Sequence, residues 1–272
     1  MKTLHNQTLI YDVDCPLCQV YTKGFIKTKM LDNNGRKPFK LLNEDEQKFV
    51  DINRAKDEIA LIDNNKKIVI YGIDSLLKII GNSFPLIERI GNFKPINIFL
   101  KKIYSFISYN RKVIIPSKIS ENKNSECVPS FNIKYRVTYI IFSILFTGLI
   151  LFKFSELIPK LPESTILREL ILAFGQIIFQ ILFIRHFSKK EILNYIGNLM
   201  SVSLFGSLII IPLLIINTFI NCPEIIIILY FASTVIIMFY EHYRRINLLK
   251  LPLFLCYTWI IYRLIALLII LN

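Results

Sequence analysis

The feature that most restricts this chain lies in its second half. From about residue 130 onward the sequence is a series of long apolar runs separated by short polar ones, and five stand out, at 135–154, 166–184, 196–220, 225–240 and 251–271. Each approaches the ~20 residues an α-helix needs to cross a bilayer, the fourth being short. Backbone polar groups in lipid must be bonded within their own segment, so runs of this kind fold as helices. The first 130 or so residues mix charges with short apolar runs instead. The expected organisation is an α/β domain over 1–118 that ends in an amphipathic helix, a polar linker over 119–134, and an all-α transmembrane bundle over 135–272. Five spans are expected, with four spans and a re-entrant segment as the alternative. The high hydrophobic fraction, 53%, and the mean hydropathy of +0.48 belong mainly to this second half.

Charge between the runs alternates. Lys101, Lys102, Arg111, Lys112, Lys118, Lys134 and Arg136 precede the first run, and "RHFSKKE" and "EHYRRINLLK" follow the second and fourth. The first connection balances Lys153, Lys160 and Arg168 with Glu156, Glu163 and Glu169, and "NTFINCPE" has no Lys or Arg. Basic loops face the cytoplasm. The expected topology is therefore an integral inner-membrane protein with the N-terminal domain cytoplasmic and the C-terminus outside. "MKTLHNQT" is polar, unlike a secretory signal, which agrees with this expectation. The net charge of +13 fits basic loops against an anionic bilayer surface. No basic patch with interleaved aromatics occurs away from the membrane segments, so no nucleic-acid partner is expected.

The N-terminal part reads as β-α-β-α-β-β-α. "TLIYDVD" has the pattern of a buried strand. Pro16 then suits the first turn of a helix, whose apolar residues Leu17, Val20, Tyr21, Gly24, Phe25, Thr28 and Leu31 recur at helical spacing. "FKLLN" reads as a second strand and "EDEQKFVDIN" as a helical turn. "EIALIDNNKKIVIYG" reads as a hairpin around Asn64 and Asn65, and "IDSLLKIIG" as a closing helix. A Cys-x-x-Cys, Cys15 and Cys18, stands at the first strand-to-helix junction. This order of elements with the dithiol at that junction is the thioredoxin arrangement.

Two cysteines at this spacing on a helix start can close a small disulfide. A thiolate over a helix N-terminus is stabilised by free N–H groups and the helix dipole. Cys15 is therefore expected to be the attacking thiol and Cys18, one turn inside, the resolving thiol. Asp12 is placed to accept the Cys18 proton, and Asp14 is expected to cap the helix. Two other readings of the stretch are weaker. A structural zinc site needs four ligands, and His5 is the only other Cys or His before the linker, where Cys127 lies. The Asp12/Asp14 pair also resembles the start of haloacid-dehalogenase-type phosphatases, but Cys-Pro stands where that family has Gly-Thr or Gly-Val. No metal and no cofactor are expected.

"YDVDCPLC", "EIALIDNNKKIVIYGIDSLLKIIG" and "SYNRKVIIP" together resemble the DCC family of thiol-disulfide oxidoreductases, whose signature is Asp-Gly-x-Cys-x-x-Cys. Asp12, Cys15 and Cys18 match it, and Val13 stands in place of Gly. The resemblance covers residues 8–116. It implies a thioredoxin-like fold with a redox dithiol acting on a protein or small-molecule thiol or disulfide. Thioredoxins proper also carry a proline just before the third strand, where this chain has "AKDEI". A non-enzymatic redox-sensing or interaction module is the alternative function.

Between Arg89 and Ser120 there is no acidic residue. There Ile96, Phe99, Leu100, Ile103, Phe106 and Ile107 form one helical face that either lies on the inner leaflet or covers the sheet. Within the apolar runs, Gln176 and Gln180, and Asn194 and Asn198, fall at i, i+4. They are expected to join helices, and Arg263 to reach toward the outer interface. Cys222 and Cys256 lie near opposite membrane faces, so no electron relay through the spans is expected.

Overall fold

The computed structural model describes residues 1–116, 129–158 and 161–271. Cys127 and most of the expected linker lie outside these residues. The chain divides into two compact units, Met1–Tyr135 and Arg136–Asn272. The first is a mixed α/β domain and the second is helical.

In the first unit β1 (Gln7–Tyr11) is followed by α1 (Pro16–Lys27), β2 (Arg36–Pro38), α2 (Glu44–Gln47) and α3 (Ile52–Asp57). Then come β3 (Ala60–Asp63), β4 (Ile68–Tyr71), α4 (Ile73–Ser83), α5 (Pro85–Asn92) and α6 (Lys94–Ile114). The sheet order is β2-β1-β3-β4, with β1 parallel to β2, β3 antiparallel to β1, and β4 antiparallel to β3. Side chains alternate across a strand, and here each face has its own core. Leu9, Tyr11 and Leu61 pack with Cys15, Cys18, Leu31 and Ile79 on one side. Ile10, Ala60 and Ile62 pack with Phe39, Leu42, Val50 and Ala55 on the other. Burying such a side chain is worth about 1.5–3 kcal/mol. Strands with both faces covered thus hold the domain together, and β1, at the centre, carries the Cys-x-x-Cys turn at its end.

Several local expectations are corrected. The second strand is Arg36–Pro38, and "FKL" is a 3-10 turn, because proline supplies no N–H to continue the ladder. "EDEQKFVDIN" splits into α2 and α3, each with its own N-cap: Asn43 in a capping box with Glu46, and Asp51. The hairpin loop runs from Asn64 to Lys67, wider than Asn-Asn, with the Asp63 carboxylate accepting the N–H groups of Asn65 and Lys66 at 3.0 Å. In α1 the inward line is Cys18, Tyr21, Thr22 and Phe25, and Val20 is exposed. The acid-free helix α6 packs on the α/β domain through Tyr104, Ser108 and Arg111, whereas Phe99 is exposed.

The second unit carries, among the described residues, five helices long and apolar enough to cross a membrane: α7 (Ile133–Ser155), α8 (Ile166–Ile184), α9 (Lys189–Phe219), α10 (Glu224–Leu248) and α11 (Phe254–Leu271). This composition makes the chain an integral membrane protein. Two helices are longer than their apolar runs. A Ser188–Glu191 capping box starts α9 seven residues before Ile196, and α10 continues through Glu241, which bonds Arg244 and Arg245 at 2.7 and 2.8 Å. The fourth run is therefore not a short helix. Pro212 sits inside α9. Gln180 and Asn198 do join helices: Tyr195 and Thr258 both donate to the Gln180 side-chain oxygen at 3.0 Å, and Arg245 donates to Asn198 at 2.9 Å.

Gly72, between β4 and α4, has φ +64° and ψ −138°, a conformation open essentially to glycine. A Cβ there would also stand 3.0 Å from the Glu58 carboxylate. Gly72→Ala is expected to cost about 1–3 kcal/mol. Hydrogen exchange of the full chain in detergent checks this: the β3–β4 amides should exchange faster, and a wild-type pattern would show that the position tolerates a side chain.

Candidate functional site: a buried dithiol

The turn after β1 is held from within. The Asp12 carboxylate accepts the Asp14 N–H at 2.9 Å, the Asp12 carbonyl accepts the Cys15 N–H at 3.2 Å, and the Gln19 side-chain amide donates to the Val13 carbonyl at 2.9 Å. Val13 is absent from the positive-φ residues and packs against the core, so this backbone does not need a glycine. Pro16 occupies the first helical position, which makes Cys15 the N-cap and puts Cys18 in the first turn of α1. Asp14 is thus one residue too early to cap, and its carboxylate meets the Lys40 ammonium at 2.5 Å instead.

Cys15 and Cys18 are free thiols near disulfide distance. Both are buried, at 1% and 8% exposure. Their environments differ. The Cys15 pKa is lowered to about 6, first by the Cys18 thiol donating to it, then by the Cys18 N–H and the Arg111 guanidinium; burial and Asp12 oppose the shift. Cys18 is raised, first by that same hydrogen bond and then by burial. The proton of the pair therefore resides on Cys18. The Tyr21 hydroxyl donates to the Cys18 sulfur at 3.4 Å, and burial pushes the Tyr21 phenol well up, which keeps it a donor.

Behind the sulfurs lies an ion cluster. Asp12 is 3% exposed, and its carboxylate lies 3.5 Å from both the Arg111 guanidinium and the Lys112 ammonium. Arg111 also donates to the carbonyls of Lys56, at 2.9 Å, and Asp57, at 3.3 Å, and Ser108 donates to the latter as well. The backbone just ahead of β3 is therefore engaged by α6. A cleft of about 260 Å³ adjoins the site, with Asp12, Cys18, Tyr21, Ile103, Tyr104 and Arg111 in its wall.

The structure brings together Asp12, Cys15 and Cys18, the three residues singled out from the sequence. It adds Tyr21, Arg111 and Lys112. Tyr21 follows Cys18 by three residues and so shares its helix face, a signal the sequence carried. Arg111 is 99 residues from Asp12, and local pattern says nothing about such a pairing. Among the described residues no group of three or more His, Cys, Asp or Glu could hold a metal ion. Comparison with family models, curated proteins and solved structures finds no match.

The charges around Cys15 act with opposite sign. Arg111→Gln should move the midpoint of Cys15 alkylation upward from about 6, and Asp12→Asn should move it downward. Mass spectrometry of alkylated full-length protein across a pH series measures both, and shifts of the same sign would refute the arrangement. The folded pKa of Cys15 lies below the value of about 8.5 for a free thiol. Its contribution to the stability of the reduced fold is therefore complete near that value and is lost as pH falls through about 6. Denaturation of the reduced protein at two pH values inside the window should give the higher stability at the higher pH.

Proposed function

We propose that the chain is a membrane-tethered thiol-disulfide oxidoreductase, with its dithiol in a thioredoxin-like, DCC-type domain facing the cytoplasm. The observation that carries this reading is the placement of the pair: Cys15 at the N-cap of α1 and Cys18 in its first turn, near disulfide distance, with the lowered pKa of Cys15 in agreement. The Cys15 thiolate attacks one sulfur of a substrate disulfide. An S–S bond forms between protein and substrate, the substrate S–S bond breaks, and one substrate sulfur leaves as a thiolate. Cys18 then gives up its proton to Asp12, with Tyr21 donating to the sulfur as it becomes anionic. Its attack on Cys15 releases the second substrate thiolate and leaves a Cys15–Cys18 disulfide. Two electrons have passed to the substrate, and the cycle runs in reverse with an oxidised protein and a substrate dithiol. The burial of Cys15 favours a small thiol or disulfide, which reaches an enclosed sulfur more easily than a folded protein does.

The same burial supports a second reading, a non-enzymatic redox sensor that acts on membrane partners. Substitution separates the two. In full-length protein titrated with glutathione buffers, the wild type should form a reversible Cys15–Cys18 disulfide with a defined midpoint. Cys15→Ser should abolish exchange, and Cys18→Ser should trap a mixed disulfide on Cys15. A pair that stays reduced at every potential would refute the oxidoreductase, and unchanged exchange in Cys15→Ser would remove Cys15 from the mechanism.

A further inference from the structure

The helical unit contains a partly open cavity of about 500 Å³, inside the range of roughly 300–1,000 Å³ common for small-molecule sites. Much of its wall is apolar, including Leu151, Phe154, Ile210, Phe231 and Leu267. Several of its polar groups are already engaged. The Tyr262 hydroxyl donates to the Leu172 carbonyl at 2.6 Å. Arg168 donates to the Glu169 carboxylate at 2.9 Å, and Ser164 donates to the same carboxylate at 2.8 Å.

Three groups in the wall are not engaged in this way. Gln176 and Thr147 are 4% and 6% exposed, and the Gln176 amide nitrogen and Thr147 hydroxyl have no hydrogen-bond partner. The Arg263 Nε–H is also without one. Among the described residues no ion pair includes Arg263, whose guanidinium lies 4.9 Å from the centre of the Trp259 ring. Arg263 sits at the middle of α11, with roughly 12–14 Å of helix on either side at 1.5 Å per residue. A guanidinium at that depth costs more than one cation–π contact returns. Because Glu169 is engaged by Arg168, the wall carries an unbalanced positive charge, two unmet polar groups, Gln176 and Thr147, and a largely apolar surface.

We propose that this cavity binds a single-chain amphiphile with an anionic head. The head, a carboxylate or a phosphate, accepts from Arg263, Gln176 and Thr147, and the chain lies along the apolar wall. This site is independent of the dithiol and of the activity proposed for it.

The chain has one tryptophan, Trp259, next to Arg263, so binding is readable in the full-length protein in a neutral detergent. The probe is cis-parinaric acid, which quenches tryptophan emission by energy transfer. Saturable quenching is expected, with the parinarate methyl ester binding about tenfold more weakly or worse, because a charged hydrogen bond is lost. Arg263→Gln should weaken the acid to the level of the ester, and Arg263→Lys should retain most of the affinity. Ala173→Phe, which adds bulk in the wall without touching the charge, should weaken acid and ester alike. Displacement by laurate or by dodecyl phosphate identifies the preferred head. Equal binding of acid and ester to the wild type would overturn the proposal. So would unaltered acid binding in Arg263→Gln, or displacement by inorganic phosphate alone. If Arg263→Gln does not fold, the acid–ester comparison and the other two variants still decide.

Discussion

One guanidinium ties the first domain together. Arg111 reaches from the last helix of the α/β unit to a carboxylate at the end of the first strand and to two carbonyls ahead of the third. Neither charge could be buried alone, since removing one partner of such a pair typically costs about 3–5 kcal/mol. The arrangement therefore fixes α6 against the sheet and fixes Asp12 in the turn that carries Cys15. It also places a positive charge close enough to stabilise a thiolate. Structure and reactivity at the dithiol share this one contact.

The parts of the fold that were legible in the sequence are those written in local pattern. The buried first strand, the helix opening at Pro16, the hairpin, and five runs long enough to span a bilayer all follow from period, length and turn chemistry. Their ends do not. The capping box at Ser188 extends α9 beyond its apolar run, and the Glu241–Arg245 pair does the same for α10. Hydrophobicity shows where a helix meets lipid, whereas caps and ion pairs set where it stops. The second strand ends early for the same kind of reason, since Pro38 ends a ladder that composition alone would continue into Phe39.

The candidate site was half legible. Cys15, Cys18 and Asp12 lie within seven residues and declare themselves. Arg111 could not be found by spacing, because its partners are brought to it only by the assembled sheet. The polar residues of the spans make a similar division. Gln180 and Asn198 are bonded across helices as their i, i+4 spacing suggested. Gln176 shares a helix face with Gln180 and both amide nitrogens lack a partner, yet the Gln180 oxygen accepts across helices from Tyr195 and Thr258. Identical residue types on one face thus have different fates, decided by the neighbouring helix.

Cys15 and Cys18 belong to the same buried cluster as Leu9, Leu31, Leu61 and Ile79. Folding and sulfur oxidation then form a closed thermodynamic cycle: whichever redox form packs better in that cluster is the form that folding favours, by the same free energy that displaces the reduction potential. For the redox dithiol proposed above, a methyl group gained or lost at Ile79, far in sequence from either sulfur, would move the potential by the difference between its effects on the packing of the two redox forms, without altering the dithiol or its charged neighbours. In a domain built this way, the hydrophobic core is itself a setting of the redox scale.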